Sequence, residues 1–401
     1  MPVSDLSTST HLAGPFTVTA PGHTTPAPHA SQLGKVLHVI NGEHFSGAER
    51  VQQLLGKRLA QFGYEAEFAC VKPGRFPQMC GLRDSQVSQF PMTGRFDLAV
   101  VQKLARKVTN ESFHLLHAHT PRTALITSLV ALRSGVPWVY HVHSPTSRDS
   151  TRGAVNRVNQ LIEHFAVRSC HRLVTVSKSL RREMLKGGMH RSRLAVIPNG
   201  VPPIEPIEAV LRLDARRWRL GMVALMRPRK GVEVALAAMH ELKSRGAPVE
   251  LDLIGGFESD LYQRQILALI RSLKLEDAVR WTGFTQDVSS AIRQLDGLLL
   301  PSLFGEGMPM VVLEALAAAV PVVATRVEGT PEVIRDGVEG LLAEPHNVSS
   351  LTEKIVELTR CRHAWQQMSH RALARHRETF TDERMAERVA REYTRVLESC
   401  R

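Results

Sequence analysis

Cysteine is scarce and scattered in this chain of 401 residues. Cys70, Cys80, Cys170, Cys361 and Cys400 form no Cys-x-x-Cys pair and no Cys/His cluster at metal-ligand spacing. Neither a disulfide scaffold nor a zinc site is therefore expected. Aromatic residues make up only 5%, and no recognition-helix, zinc-finger or ribonucleoprotein pattern accompanies them, so no nucleic-acid partner is expected. No uncharged apolar run approaches the roughly 18 residues a membrane-spanning helix needs, because the most apolar stretch, residues 310–324, is broken by Glu314 and Pro321. The amino-terminal segment lacks a cationic start and an apolar stretch. It is therefore read as a disordered Ser/Thr/Pro/His-rich leader over residues 1–33 of a cytoplasmic protein, not as an export signal.

Charge is present, and its distribution is uneven. The formal net charge is +12, yet residues 1–200 hold 24 Lys+Arg against 11 Asp+Glu, whereas residues 201–401 hold 27 against 28. The densest basic run, residues 168–193, suits an anionic phospholipid surface or a phosphorylated acceptor. The plainer reading is a solvated basic helix that aids solubility.

Short β-rich runs alternate with apolar-periodic helices throughout. Strands are predicted at 35–40, 115–120, 138–144 and 172–177, with helices over about 48–62, from 123, around 152–170 and from 178. Four prolines within residues 197–206 interrupt the pattern and mark a linker. Alternation resumes with strands at 218–226, 249–255, 278–284, 297–302 and 321–325 and with helices at 232–244, 259–273, from about 309 and at 330–336, before a helical tail from 350. The expected architecture is α/β, with two Rossmann-like doubly wound domains facing across a cleft. The first domain is placed at 34–200, the linker at 201–206 and the second domain at 207–375. A final helix at 376–401 is expected to pack back on the first domain.

The segment with most chemical content is Phe304-Gly-Glu-Gly-Met-Pro-Met-Val-Val-Leu-Glu-Ala-Leu-Ala317. Pro309 suits the first turn of a helix, where a missing N–H costs nothing, and Gly305 and Gly307 allow the backbone to approach a ligand. Free amides at such a helix start favour a diphosphate. Glu306 and Glu314 flank that start, and carboxylates accept paired hydroxyl hydrogen bonds from ribose and sugar. Taken as two isolated glutamates, they are more simply explained as a helix-terminal carboxylate and a satisfied half-buried one.

The surrounding residues carry a resemblance. Glu306-Gly-Met-Pro-Met-Val-Val-Leu-Glu314-Ala-Leu-Ala-Ala-Ala-Val-Pro-Val-Val-Ala-Thr325, followed by Glu328-Gly-Thr-Pro-Glu332, resembles the Glu-x7-Glu signature of glycosyltransferase family 4, a retaining GT-B group whose pattern is EGxPxxxxEAxAxGxPVVAT. SGAER (46–50), VSKSLRREM (176–184), IPNGV (197–201), Lys230-Gly231 and GFTQDV (283–288) extend the match over roughly residues 35–390. The resemblance implies that Glu314 binds the nucleotide ribose and Glu306 the donor-sugar hydroxyls. It places the amides of Gly307 and Met308, with Pro309, near the sugar or phosphate. Lys230 and a neighbouring arginine are to hold the diphosphate. Leu225 stands where the family has that arginine, and RPRKG offers Arg227, the choice made here, or Arg229. The loop at Gly47 is to face acceptor and diphosphate.

Two His-x-His pairs, His117/His119 and His141/His143, end predicted strands, and residues two apart share a strand face. The resemblance assigns the cleft histidine to His143, with His141 and His119 as alternatives. Each pair alone lacks a carboxylate and makes an incomplete ligand set, so no metal and no cofactor is expected. The implied reaction is metal-independent, retaining transfer from a nucleoside-diphosphate sugar to the hydroxyl of a carbohydrate or lipid-linked acceptor, in cell-surface polysaccharide or glycolipid synthesis. The leaving phosphate takes the acceptor proton. Rival readings are a GT-B nucleotide-sugar 2-epimerase and a non-catalytic nucleotide-sugar-binding scaffold.

Overall fold

The computed structural model describes residues 33–94, 97–145, 163–205 and 217–400. The leader up to residue 32, the helix expected around 152 as far as residue 162, and the linker's last proline, Pro206, lie outside the described residues.

The first lobe is a seven-stranded sheet of β1 (Gly34–Ile40), β2 (Tyr64–Cys70), β3 (Val87–Gln89), β4 (Leu115–Ala118), β5 (Trp138–Val142), β6 (Arg172–Thr175) and β7 (Leu194–Val196), in the order β3-β2-β1-β4-β5-β6-β7. The second is a six-stranded sheet of β8 (Trp218–Val223), β9 (Val249–Ile254), β10 (Val279–Gly283), β11 (Gly297–Leu300), β12 (Val322–Thr325) and β13 (Gly340–Ala343), ordered β10-β9-β8-β11-β12-β13. All pairings within the two sheets are parallel. Both orders reverse direction beside the first strand of their lobe, which opens a crevice at the carboxyl ends of the strands.

The sequence dictates this because strands covered on both faces must be apolar almost continuously. Val36, Leu37, Val39 and Ile40 of β1, and Leu298, Leu299 and Leu300 of β11, are buried. β2 breaks that rule and was not expected. Its Glu67 is buried but lies 2.6 Å from Lys35 Nζ and 3.0 Å from Lys107 Nζ, so neighbouring elements neutralise a charge that the strand cannot. β3, β7 and β13 and the helix Leu98–Asn110 are likewise additions to the expected set. The two short edge strands, β3 and β7, have three residues each, too few for a clear period.

The helical tail is three helices, Val348–Thr359, Arg362–Thr379 and Asp382–Ser399. The middle one runs through residue 376, and the chain crosses to the first lobe at Phe380 and Thr381. Asp382–Ser399 packs on helix Gly47–Arg58, with Arg58 Nε donating to Asp382 at 2.7 Å and Tyr64 Oη meeting Thr394 Oγ1 at 2.7 Å. The two crossings run side by side. Val201 N–H donates to Phe380 O at 2.9 Å, Asp382 N–H donates to Val201 O at 3.1 Å, and His376 Nε2 lies 2.9 Å from the same carbonyl. A methyl group on Gly200 would strike the Thr381 carbonyl, so this close approach requires glycine.

Candidate active site

The cleft wall of the second lobe is the loop between β11 and helix Met310–Ala317. Pro309 is not in the first helical turn as expected. It is the residue that caps the helix, in extended conformation (φ −72°, ψ 115°), and its carbonyl accepts from Val312 at 3.1 Å and Leu313 at 3.4 Å. The loop is held from behind. Glu328 accepts from the amides of Gly305 (3.1 Å) and Glu306 (3.3 Å), Gly329 N–H donates to Glu306 O at 2.9 Å, and Arg229 Nη1 donates to Gly305 O at 3.1 Å. Glu328 itself sits at φ +32°, a conformation residues with a side chain seldom adopt. Ala319, where the family pattern has glycine, takes φ +57° as the chain leaves the helix.

Glu306 is buried, accepts from Ser302 Oγ at 2.6 Å, and pairs with Lys230 Nζ at 2.5 Å. Burial opposes its ionisation, but Lys230, Arg229 and Ser302 outweigh that and hold its carboxyl below the usual range. Lys230 is pulled down by burial and by the adjoining Arg229 and Arg227, with Glu306 opposing. It is positioned by the turn Pro228–Lys230, which ends at Gly231 with φ +70°, where a side chain would collide with the Pro301 carbonyl. Arg229 is committed to the loop carbonyls. Arg227 points elsewhere, 3.9 Å from Glu258.

Glu314 is also buried and meets Arg50 Nη1 of the first lobe at 2.9 Å, an ion pair whose alignment is not that of a hydrogen bond. Burial pushes its carboxyl up and Arg50 draws it back. Gly47 begins the helix that carries Arg50 and faces the Met310 side chain at ordinary contact distance. Glu49 accepts from Ser46 N–H and Oγ to fix that helix start. Gly307 lies against the His143 carbonyl, where no side chain fits. Met308 serves the lobe contact: its carbonyl accepts from Asn199 Nδ2 at 3.2 Å and its sulfur from Asn199 N–H at 3.2 Å. Glu332, a missed participant, accepts from the amides of Lys178 and Ser179, both at 2.7 Å, and so caps helix Lys178–Lys186 from the opposite lobe. The sequence signal for it was an acidic residue in the conspicuous motif after Glu328.

Two groups of expected residues thus meet, Lys230 with Glu306 and His143 with Gly307, while Gly47 and Arg50 close on Met310 and Glu314. His143 is half-buried, lies 3.0 Å through Nε2 from His119 Nδ1, and is held neutral by burial, its pKa lowered to about 4.

Residues 45–204 match the model described as Glycosyltransferase Family 4, and residues 217–360 the one described as Glycosyl transferases group 1. The chain belongs to glycosyltransferase family 4. Among relatives of this glycosyltransferase is UDP-Gal:alpha-D-GlcNAc-diphosphoundecaprenol alpha-1,3-galactosyltransferase of Escherichia coli, 24% identical over 343 residues, which are 81% of this chain and 88% of the relative. Another is N-acetyl-alpha-D-glucosaminyl L-malate synthase of Bacillus anthracis, 25% identical over 85% of this chain and 91% of its own length. The crystal structure of Anabaena HepE in complex with UDP and glucose superposes with a TM-score of 0.80 at 20% identity, covering 90% of this chain and 100% of that one. The fold is GT-B. No helix among the described residues is long and apolar enough to cross a membrane.

Proposed function

We propose that this glycosyltransferase moves a sugar from a nucleoside-diphosphate donor to a hydroxyl of a carbohydrate or lipid-linked acceptor, with retention, in cell-surface polysaccharide or glycolipid synthesis. The observation that carries the reading is the pair of buried glutamates on either side of the start of helix Met310–Ala317, each answered by a cation, Lys230 for Glu306 and Arg50 for Glu314. A ligand with hydroxyls at both ends and a diphosphate between matches that order. Glu314 accepts from the ribose and Glu306 from the donor sugar. The helix amides and Lys230 face the diphosphate, and Arg227 joins them by turning from Glu258, 3.9 Å away, because Arg229 already braces the loop. Lys230 stabilises the charge that grows on the leaving phosphate. From the first lobe, His143 contacts the donor sugar or phosphate and the loop at Gly47 faces acceptor and diphosphate.

The acceptor proton passes to the departing phosphate, so positioning and electrostatics carry the barrier reduction. The cationic set around the diphosphate makes a divalent ion unnecessary, and chelator is expected to leave turnover unchanged. The relative acting on a diphosphoundecaprenol acceptor supports a lipid-linked acceptor here. The deciding experiment incubates the protein with a panel of UDP-, GDP- and ADP-sugars and lipid-linked or saccharide acceptors, reads acceptor-dependent release of nucleoside diphosphate, and assigns the product anomer by NMR. Release that is independent of acceptor, or an inverted product, overturns the reading.

A further inference from the structure

The two His-x-His pairs do not stand apart. Parallel pairing sets β4 beside β5 and β1, with Ala118 opposite Tyr140 and His38 opposite His117, and thereby gathers His38, His117, His119, His141 and His143 into one cluster. The rings of His141 and His143 stack with centroids 4.3 Å apart, those of His119 and His143 at 5.3 Å, and those of His119 and His141 at 5.6 Å. One ring nitrogen from each of these three histidines falls within 4.8 Å of the others.

Four buried ring nitrogens in the cluster have no hydrogen-bond partner among the described residues: both of His141, Nδ1 of His143 and Nε2 of His117. A neutral imidazole must bury one N–H and one lone pair, and leaving both of those on His141 unanswered costs free energy. The arrangement is therefore incomplete as an ordinary hydrogen-bonded core. Burial holds all five rings neutral, the form in which imidazole ligates a metal.

We propose that His119, His141 and His143 form a binding site for a Zn2+-class transition-metal ion in the first-lobe wall of the cleft. Zinc–imidazole bonds of about 2.0–2.1 Å in a tetrahedral arrangement set neighbouring ligand nitrogens about 3.3 Å apart, and His119 Nδ1 and His143 Nε2 already stand at 3.0 Å. His141 supplies the third nitrogen by turning out of its stack, a movement that breaks no hydrogen bond because it makes none among the described residues. The fourth position falls to water, as at sites with three protein ligands. Ligation through Nδ1 leaves His119 Nε2–H to donate to His38 Nδ1, 2.9 Å away. A ligand imidazole is ordinarily oriented by such a partner on its other nitrogen. Half-buried His143 provides the entry from the cleft. The ion is no part of the transfer chemistry, and binding it draws His143 away from the donor.

The test titrates the chelator-stripped full chain with ZnCl2 by calorimetry and with CoCl2 by absorption, so its outcome does not depend on the transfer reading. One equivalent is expected, with the visible bands of a nitrogen-ligated tetrahedral cobalt ion and no thiolate charge-transfer band, which separates this site from exposed Cys361 and Cys400. His141→Gln and His143→Gln are each expected to weaken that equivalent at least a hundredfold, and His38→Ala about 10–100-fold as loss of a supporting group. Circular dichroism verifies the fold of each variant, and His143→Gln, at the half-buried edge, decides the matter if the His141 variant does not fold. Absence of binding, a thiolate band, or an equivalent that persists at wild-type affinity in His143→Gln overturns the proposal.

Discussion

The two lobes share a strand order but turn opposite materials toward each other. The second lobe is nearly charge-balanced overall, yet its cleft wall carries Glu306, Lys230, Arg229 and Glu314, all buried or half-buried and ionically paired or hydrogen-bonded. The first lobe holds the whole cationic excess, yet faces the cleft with neutral histidines, a glycine and Arg50. Its exposed charge is elsewhere, at residues such as Arg182, Lys186 and Arg191. Net charge of a domain therefore reports its outer surface and says little about the charge of its site.

The largest effect that breaks this contrast is expected for Lys230→Ala. It removes the cation beside the leaving phosphate and should lower turnover about 10²–10³-fold, with a smaller change in donor affinity, as for loss of one preorganised donor. It also leaves Glu306 buried without its partner, so thermal stability should fall with it. Steady-state kinetics and a melting curve check both, and unchanged turnover removes Lys230 from the diphosphate clamp.

Next is the neutral wall. Burial lowers the histidines from the ordinary 6.5, His143 to about 4 and His38 to about 3. Between those values and 6.5 the unfolded chain binds more protons than the folded one. Stability is thus full above pH 6.5 and is lost progressively as pH falls toward 4, by on the order of a few kcal/mol in sum. Melting temperatures from pH 8 to 4.5 should show this fall, and His141→Gln should flatten it. A curve level through pH 5 contradicts neutral burial of the cluster.

Glu314→Ala tests the charged wall without touching the leaving group. Donor or free nucleoside diphosphate should bind about 1.5–3 kcal/mol more weakly by calorimetry, the range for a hydrogen bond to a charged group. Retained affinity places the ribose elsewhere. Glu332→Gln weakens a carboxylate that caps a helix across the lobes. A loss of about 0.5–2 kcal/mol is expected from helix-capping values, seen as a lower melting midpoint.

The remaining contrast is the outer charge of the first lobe. Arg181 is half-buried with its Nε shielded, whereas Arg182, Lys186 and Arg191 are exposed and free to meet an anionic surface. At about 1 kcal/mol each, changing these three to Glu should reduce co-sedimentation with anionic vesicles at low salt and leave neutral vesicles unaffected. Equal partitioning of the wild type to both vesicle types assigns the charge to solvation alone.

The sequence by itself determined the two-lobed α/β plan, since short, largely apolar runs such as 36–40 and 298–300 alternate with helix-period segments on both sides of a proline-rich break. It also determined the loop at 304–309, because Gly305, Glu306, Gly307 and Pro309 stand in a long motif with Glu314 that resembles a family pattern. Tertiary structure decided the rest. β2 reads poorly because its buried Glu67 is neutralised by Lys35 and Lys107, a contact with no local trace. Arg50 on Glu314 and Glu332 on the amides of Lys178 and Ser179 join residues 264 and 153–154 positions apart, and only the folded lobes bring them together. The histidines show the division most plainly. Each His-x-His pair was visible as a strand ending, but their union with His38 follows from which strand lies beside which, and that order is set by how the helices cover the sheet, not by any run of neighbouring residues.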